Sequence, residues 1–253
     1  MKLENKVSFL GVDITITNVR ELLAYVSSVL KKTGSQSPCL VNYVNVHAYH
    51  LSFKDQAFRN ILNRSDIVFC DGFGVKLGAK MLGLRLGERM TPPDWIDELF
   101  AMCENEKVSI YFLGDEDYVV KRFTEMVGEK FPNLRIAGYN NGFFSKSSDE
   151  NNRVINDINA SGAEILITGM GMPLQEKWAF EHREQLRPKV VIGAGALFRW
   201  YAKIEKRGPR IVTDNGFEWL WRLFVQPKKV WKRYIIELPY FFMVVLKYKF
   251  TGK

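Results

Sequence analysis

A short apolar run, Ile67–Cys70, stops at Asp71-Gly72, and the same punctuation returns along the chain. Gly114-Asp115 follows Val108–Leu113, Asn141-Gly142 lies beyond Leu134–Ala137, and Gly169-Met170-Gly171 follows Ile165–Thr168. Asp-Gly is an ordinary turn former. A carboxylate at the end of a buried strand has a second use, because open α/β sheets bind ligands outside the carboxyl ends of their strands. Glycine lets backbone approach a ligand closely, and helix N-termini beyond such loops offer free N–H groups to phosphate. Any one of these loops is explained as a turn; four on one sheet edge favour a binding site.

Other stretches carry polar chemistry at similar places. In TGMGMPLQEKW (168–178), Pro173 suits the first turn of a helix, which puts Gln175 and Glu176 beside the sheet edge. Gln175 there could hydrogen-bond a sugar hydroxyl or a nucleotide, while Glu176 also suits the helix dipole. In GERMTPPDWIDELF (87–100), Arg89 has the forked donors that hold a diphosphate, and Asp94 reads as the N-cap of the following helix. Asp115-Glu116-Asp117 has the Asp-x-Asp spacing with which many sugar-nucleotide transferases hold a divalent cation, but it opens a helix, and capping explains it. His47 and His50 stand at i and i+3 with no evident third ligand. No GxSxG elbow or Walker loop occurs, and Gly169-Met170-Gly171 does not continue as a dinucleotide fingerprint. No metal and no cofactor are expected.

The elements that must position these residues follow from periodicity. Strands are expected at Val7–Leu10, Cys39–Val44, Ile67–Cys70, Val108–Leu113, Leu134–Ala137, Ile165–Thr168 and Val190–Ile192. Between them, stretches such as 19–32 and 118–131 repeat apolar residues at three- and four-residue intervals. This alternation predicts an α/β fold: a Rossmann-like, mostly parallel sheet with helices on both faces. After about residue 195 the composition changes. Trp, Phe, Tyr and Leu mix with Lys and Arg, and Pro227 and Pro239 divide the segment into two or three short helices. The expected division is a body, 1–195, and a basic aromatic helical appendage, 196–253.

Charge follows the same division. Of a net +8, residues 219–253 hold eight basic groups against one acid, Glu237. A basic segment seeks an anionic partner, and rings among cations suit an interfacial one. Cys39, Cys70 and Cys103 are scattered singly, which implies reduced thiols in a cytosolic setting. The first residues lack a signal-peptide core, and no apolar stretch reaches the ~18 residues a membrane-spanning helix needs.

Taken in order, YVNVHAYHL with Asn45, DGFGV, ERMTPPDW, IYFLG, YNNGFF, GMGMPLQEKW, IGAGALF, RGP and GFEWLWRL resemble the WecG/TagA/CpsF family, glycosyltransferase family 26. The match runs from about Cys39 to Pro227, with a family-like basic tail beyond. The resemblance implies an inverting transferase of bacterial surface-polymer synthesis, carrying a sugar from a UDP-sugar to a polyprenyl-diphosphate-linked acceptor. It implies that Asp71 is the general base and that Arg89 holds phosphate. Asn45, Gly72, Gly114, Asn141, Gly142, Gly169, Gly171, Gln175 and Glu176 would bind substrate. Arg207, Arg222, Lys228, Lys229, Lys232 and Arg233 would meet the acceptor or the membrane. The implied location is peripheral, on the cytoplasmic face of the cell membrane, with an anionic membrane surface as partner and a homo-oligomer possible.

The chain departs from the family pattern at Tyr43 (often Thr), Asp115 (often Gly), Arg199 (usually Asp), Lys203 (typically Gly) and Gly208 (RGP for RAP). Arg199 and Lys203 would add positive charge near the acceptor side. N-acetylmannosamine, its uronic acid and glucose are the competing donor sugars. Outside the class stand a nicotinamide-dependent oxidoreductase, which lacks its fingerprint here, and a nucleic-acid-binding protein, which the basic tail alone would suggest; no nucleic acid is expected as partner.

Overall fold

The computed structural model describes residues 3–34, 37–205, 208 and 218–252. Its centre is a six-stranded parallel sheet flanked by helices. In chain order the strands are β3 (Cys39–Val44), β4 (Ile67–Cys70), β5 (Ser109–Gly114), β6 (Arg135–Asn140), β7 (Ile165–Gly169) and β8 (Val190–Gly193). Their spatial order is β4-β3-β8-β7-β5-β6, every neighbouring pair parallel. Strands covered on both faces need apolar side chains on both, so β3, β4, β5, β7 and β8 are buried along their whole length. The edge strand β6 is not. The chain runs outward from β3 to β4 and returns to β3 with β8, so the reversal of strand order lies where β3 meets β8.

The first expected strand belongs elsewhere. Lys6–Phe9 (β1) pairs antiparallel with Val12–Thr15 (β2) in a separate hairpin. The turn between them carries Leu10 at φ 48 and Gly11 at φ 81. Leucine gives no turn signal, which is why β2 is not evident from sequence. The hairpin is laid on the main sheet through the Thr15 hydroxyl, which accepts the Val68 N–H at 3.2 Å.

Helix ends follow local rules. Asn18 and Glu21 form a capping box at the start of α1 (Val19–Leu30). Asn45 caps α2 (Val46–Lys54), and Asp55 caps α3 (Gln56–Arg64). Then come α4 (Phe73–Met81), α5 (Pro92–Glu106), α6 (Asp117–Lys130), α7 (Asp149–Ala160), α8 (Leu174–Glu181) and α9 (Leu197–Tyr201). Asp94 is not an N-cap: Pro92 and Pro93 occupy the first helical positions of α5, so Thr91 stands at the cap and Asp94 within the first turn. Helix α9 belongs to the main core, where Phe198 stacks on Phe123 with centroids 4.4 Å apart.

The appendage comprises α10 (Glu218–Val225), α11 (Pro227–Trp231), a π-helical turn (Lys232–Glu237) and α12 (Leu238–Thr251). None of the described helices is long and apolar enough to cross a membrane. Helix α12 docks on α2 and α4. Phe241 and Val245 are fully buried, and Phe241 packs against Tyr49 at 5.4 Å and Phe9 at 6.1 Å between centroids. The approach depends on Gly78 of α4, where a Cβ would sit 2.8 Å from the Phe241 ring. The Glu237 carboxylate, just before α12, meets His47 Nδ1 at 2.8 Å and ties the appendage to α2. Burial alone would raise the Glu237 carboxyl, but the His47 hydrogen bond and the charges of His47, His50 and Arg233 pull it below its ordinary value.

Candidate active site

A cavity of about 780 Å³ opens beyond the carboxyl ends of β3, β4 and β8, at the strand-order reversal. Asp71 stands in it. Its N–H donates to Val44 O at 2.8 Å, which stitches the end of β4 to β3. Gly72, at φ 98, then turns the chain directly into α4. The segment before α5 is laid across the same strand end by the Met90 N–H, which donates to Cys70 O at 2.9 Å. That contact places Arg89 and Thr91 on either side of Met90, both facing the cavity.

The polar order here is forced by hydrogen-bond chemistry. Arg89 Nη1 lies 2.8 Å from Thr91 Oγ1, and Thr91 Oγ1 lies 2.8 Å from Asp71 Oδ1. A guanidinium only donates, so the hydroxyl accepts from Arg89 and gives its proton to Asp71. The other Asp71 oxygen, Oδ2, lies 3.5 Å from Asn45 Nδ2. Asn45 is held in turn, because its Oδ1 accepts the Ala48 N–H at 3.0 Å. Arg89 is also paired with Asp94 at 3.2 Å and lies over the Phe73 ring at 5.0 Å, with its side chain 16% exposed. It is therefore a positioned cation rather than a solvated one.

The appendage completes the wall. Arg222 and Arg233 line the cavity together with Trp219, Tyr234, Leu238 and Phe242. Arg222 lies over the Trp200 ring at 5.0 Å. Lys76 and Lys80 of α4 add charge, and Phe73 and Leu77 add apolar surface. The cavity wall thus mixes cationic and polar groups with apolar ones.

The expected site residues divide accordingly. The structure brings Asn45, Asp71, Gly72, Arg89, Gly171, Arg222 and Arg233 to one cavity. Gln175 and Glu176 do not line it: both are fully buried beneath it. The Gln175 amide is taken up by the loops, its oxygen accepting the N–H of Gly171 at 3.2 Å and of Gly195 at 3.1 Å. Gly114, Gly142 and Gly169 lie together further along the sheet edge, where a Cβ on Gly114 would meet the Gly169 backbone, and where Gly142 N–H donates to Asp115 O at 2.7 Å. Asn141 turns the same loop by accepting the Phe143 N–H at 2.9 Å. Neither Asn141 nor these three glycines is on the cavity wall. Lys228 and Lys232 face solvent. Arg207 and the Lys229 side chain lie outside the described residues.

The departures at Asp115 and Arg199 prove to be partners. Arg199 Nη2 lies 2.6 Å from Asp115 Oδ1 and 2.6 Å from Glu116 Oε1. Its charge is balanced there instead of being presented to an acceptor. Lys203 has φ 58, the left-handed conformation that a glycine adopts without strain. Among the described residues, no group of three or more His, Cys, Asp or Glu is placed to hold a metal ion. Burial pushes the Cys39 and Cys103 thiols up to about 12 and raises Cys70 as well, so none is a thiolate at neutral pH.

Two residues of the site escape sequence reasoning. His47 reads with His50 as a pair lacking a third ligand, and its partner Glu237 is 190 residues away. Thr91 is passed over because the sequence reading puts the cap of α5 at Asp94; Thr91 stands at that cap. Thr91 makes no side-chain capping bond; its hydroxyl is spent on Asp71 instead.

The family described as "Glycosyl transferase WecG/TagA/CpsF family" matches residues 7–253. A protein of Bacillus subtilis (strain 168), named N-acetylglucosaminyldiphosphoundecaprenol N-acetyl-beta-D-mannosaminyltransferase, is 27% identical over 208 residues, covering 82% of this chain and 79% of its own. A protein of the same name from Staphylococcus aureus (strain NCTC 8325 / PS 47) is 24% identical over 251 residues, covering 96% and 93%.

The relay makes a prediction that needs no substrate. Thr91→Val removes the hydroxyl shared by Arg89 and Asp71 and keeps the side chain's shape. A loss of about 1–3 kcal/mol in urea denaturation is expected, the cost of leaving a charged acceptor without its donor. An unchanged midpoint would show that the relay is not formed in solution.

Proposed function

The chain belongs to the WecG/TagA/CpsF glycosyl transferase family, and from that premise we propose that it moves an N-acetylmannosamine-type hexose from a UDP-sugar to a polyprenyl-diphosphate-linked sugar, inverting the anomeric centre. The observation that carries this reading is the pairing of Asp71 with a cationic, partly apolar cavity at the strand ends. The acceptor hydroxyl attacks the anomeric carbon as the bond to the UDP oxygen breaks. Its proton passes to Asp71, and UDP departs with the bonding pair. A carboxylate fixed within hydrogen-bond reach of that hydroxyl is what general-base catalysis requires. Arg89, Arg222 and Arg233 would offset charge that develops on the departing diphosphate, and their presence on the cavity wall supports that role. The names of the Bacillus and Staphylococcus relatives support the mannosaminyl donor and the undecaprenyl-diphosphate acceptor.

The reading also uses the appendage. Phe224 is 77% exposed and Phe250 82%, and Ile235, Ile236 and Met243 are exposed with them. Apolar side chains interspersed with Lys228, Lys232, Lys247 and Lys249 suit a peripheral segment on an anionic bilayer, at about 1 kcal/mol for each cation that reaches the surface. A lipid-borne acceptor would then enter the cavity from the membrane side, on the cytoplasmic face.

Two experiments test these statements. Incubation with UDP-N-acetylmannosamine, its uronic acid and UDP-glucose, each with a short-chain polyprenyl-diphosphate-linked N-acetylglucosamine, should give product with the first donor. UDP release with none of them would overturn the donor assignment. In the second, the full-length Phe224→Ser/Phe250→Ser variant should sediment with anionic vesicles about tenfold less than wild type, the factor expected when buried apolar area is lost. Equal sedimentation would remove these residues from membrane contact.

A further inference from the structure

Beneath the cavity lies a pair of polar side chains with no access to solvent. Gln175 and Glu176 are both fully buried at the start of α8. Gln175 Oε1 accepts two backbone N–H groups, those of Gly171 and Gly195, from the loops after β7 and β8. Its Nε2 donates to Glu176 Oε1 at 2.8 Å. An amide can occupy such a slot in two orientations that exchange oxygen and nitrogen. The reversed one would aim an NH₂ group at two N–H donors. The acceptor supplied by Glu176 selects the other.

We propose that Glu176 is a positioning residue: its buried carboxyl fixes the Gln175 amide, and that amide clamps the Gly171 and Gly195 loops that border the donor cavity. The inference rests on the donor-site reading above for its functional part. Both clamped glycines lie on the cavity wall, together with Met172, Ala194 and Ala196. Space for the amide is tight, since a Cβ on Gly193 would come within 2.9 Å of Gln175 Nε2.

The surroundings favour the neutral form of Glu176. Its Oε2 has no hydrogen-bond partner among the described residues. Tyr43 of β3 is a titratable group close enough to feel its charge. On the neighbouring α3 side, the cap residue Asp55 is paired with Lys177 at 2.7 Å, and Arg64 lies over the Phe180 ring. Burial pushes the Glu176 carboxyl up to about 7, against the hydrogen bond from Gln175 and its own backbone. A raised carboxyl contributes stability that is complete below the ordinary 4.5 and is lost as pH rises through about 7.

The test compares full-length Glu176→Leu and Glu176→Gln with wild type. Leucine removes the acceptor at similar volume; glutamine keeps an acceptor and cannot ionise. Hydrogen–deuterium exchange at the Gly171 and Gly195 amides should be about tenfold faster in the Leu variant and within about twofold of wild type in the Gln variant. KM for the donor should rise about tenfold in the Leu variant, with kcat changed about twofold or less, and the Gln variant should restore it. The Gln variant's melting temperature relative to wild type should climb from about pH 5 to about pH 8. Wild-type exchange in the Leu variant, no rescue by Gln, or a melting difference that stays flat with pH would each overturn the proposal. The exchange and melting readouts need no substrate. The expected exchange pattern in a protein that turns over no UDP-sugar would support the clamp and count against the donor reading.

Discussion

The hydroxyl of Thr91 has a single proton, and Arg89 decides where it points. Because the guanidinium can only donate, that proton is delivered to Asp71, and the carboxylate is held at a fixed angle at the end of β4. A base that rotated freely would meet an incoming hydroxyl only part of the time; positioning is a large share of what a catalytic site supplies. Much of the surrounding structure serves this one arrangement. The Met90 hydrogen bond lays the Arg89–Thr91 segment over the strand end, and Asn45 approaches the far oxygen while it caps α2. Asp94 and Phe73 keep Arg89 in place. Asn45 is thus used twice, once for the α2 backbone and once for the site.

The second constraint is that the body alone does not close the cavity. Arg222 and Arg233 arrive from the appendage, whose position is set by two contacts of different kind. One is apolar, the seat of Phe241 and Val245 on the glycine face of α4. The other is ionic, Glu237 against His47. The rest of the appendage keeps large apolar side chains in solvent, an unusual concentration on a surface that nothing among the described residues covers. A segment that is half packed and half greasy is consistent with the proposed use of a lipid-anchored acceptor.

Sequence reasoning reaches the sheet well, because strands buried on both faces read as unbroken apolar runs: Cys39–Val44, Ile67–Cys70 and Val190–Ile192 need no tertiary information. It reaches the position of Asp71 and Arg89 beside the cavity for a related reason, since strand ends and the loops after them are local features. It fails where the answer is non-local. Gln175 reads as a pocket residue because it falls in the first turn of a helix at the sheet edge; only the packing of β8 and two loops shows that it is buried. Asp115 and Arg199, 84 residues apart, read as separate departures, and their ion pair is visible only in three dimensions. Asp94 looks like a cap until Pro92 and Pro93 are seen to occupy the helix start. The hairpin of β1 and β2 is hidden by a leucine at a position where glycine or asparagine would announce a turn.

The central claim is that the Asp71 carboxylate accepts the acceptor's proton. Single-turnover kinetics of Asp71→Asn addresses it most directly, with UDP affinity measured on the same sample. Asparagine keeps the shape and the oxygen that receives the Thr91 hydroxyl, but it is no base. The account predicts UDP affinity within about twofold of wild type and a transfer rate lower by about 100-fold or more, the scale of general-base catalysis. Transfer at nearly the wild-type rate would contradict it.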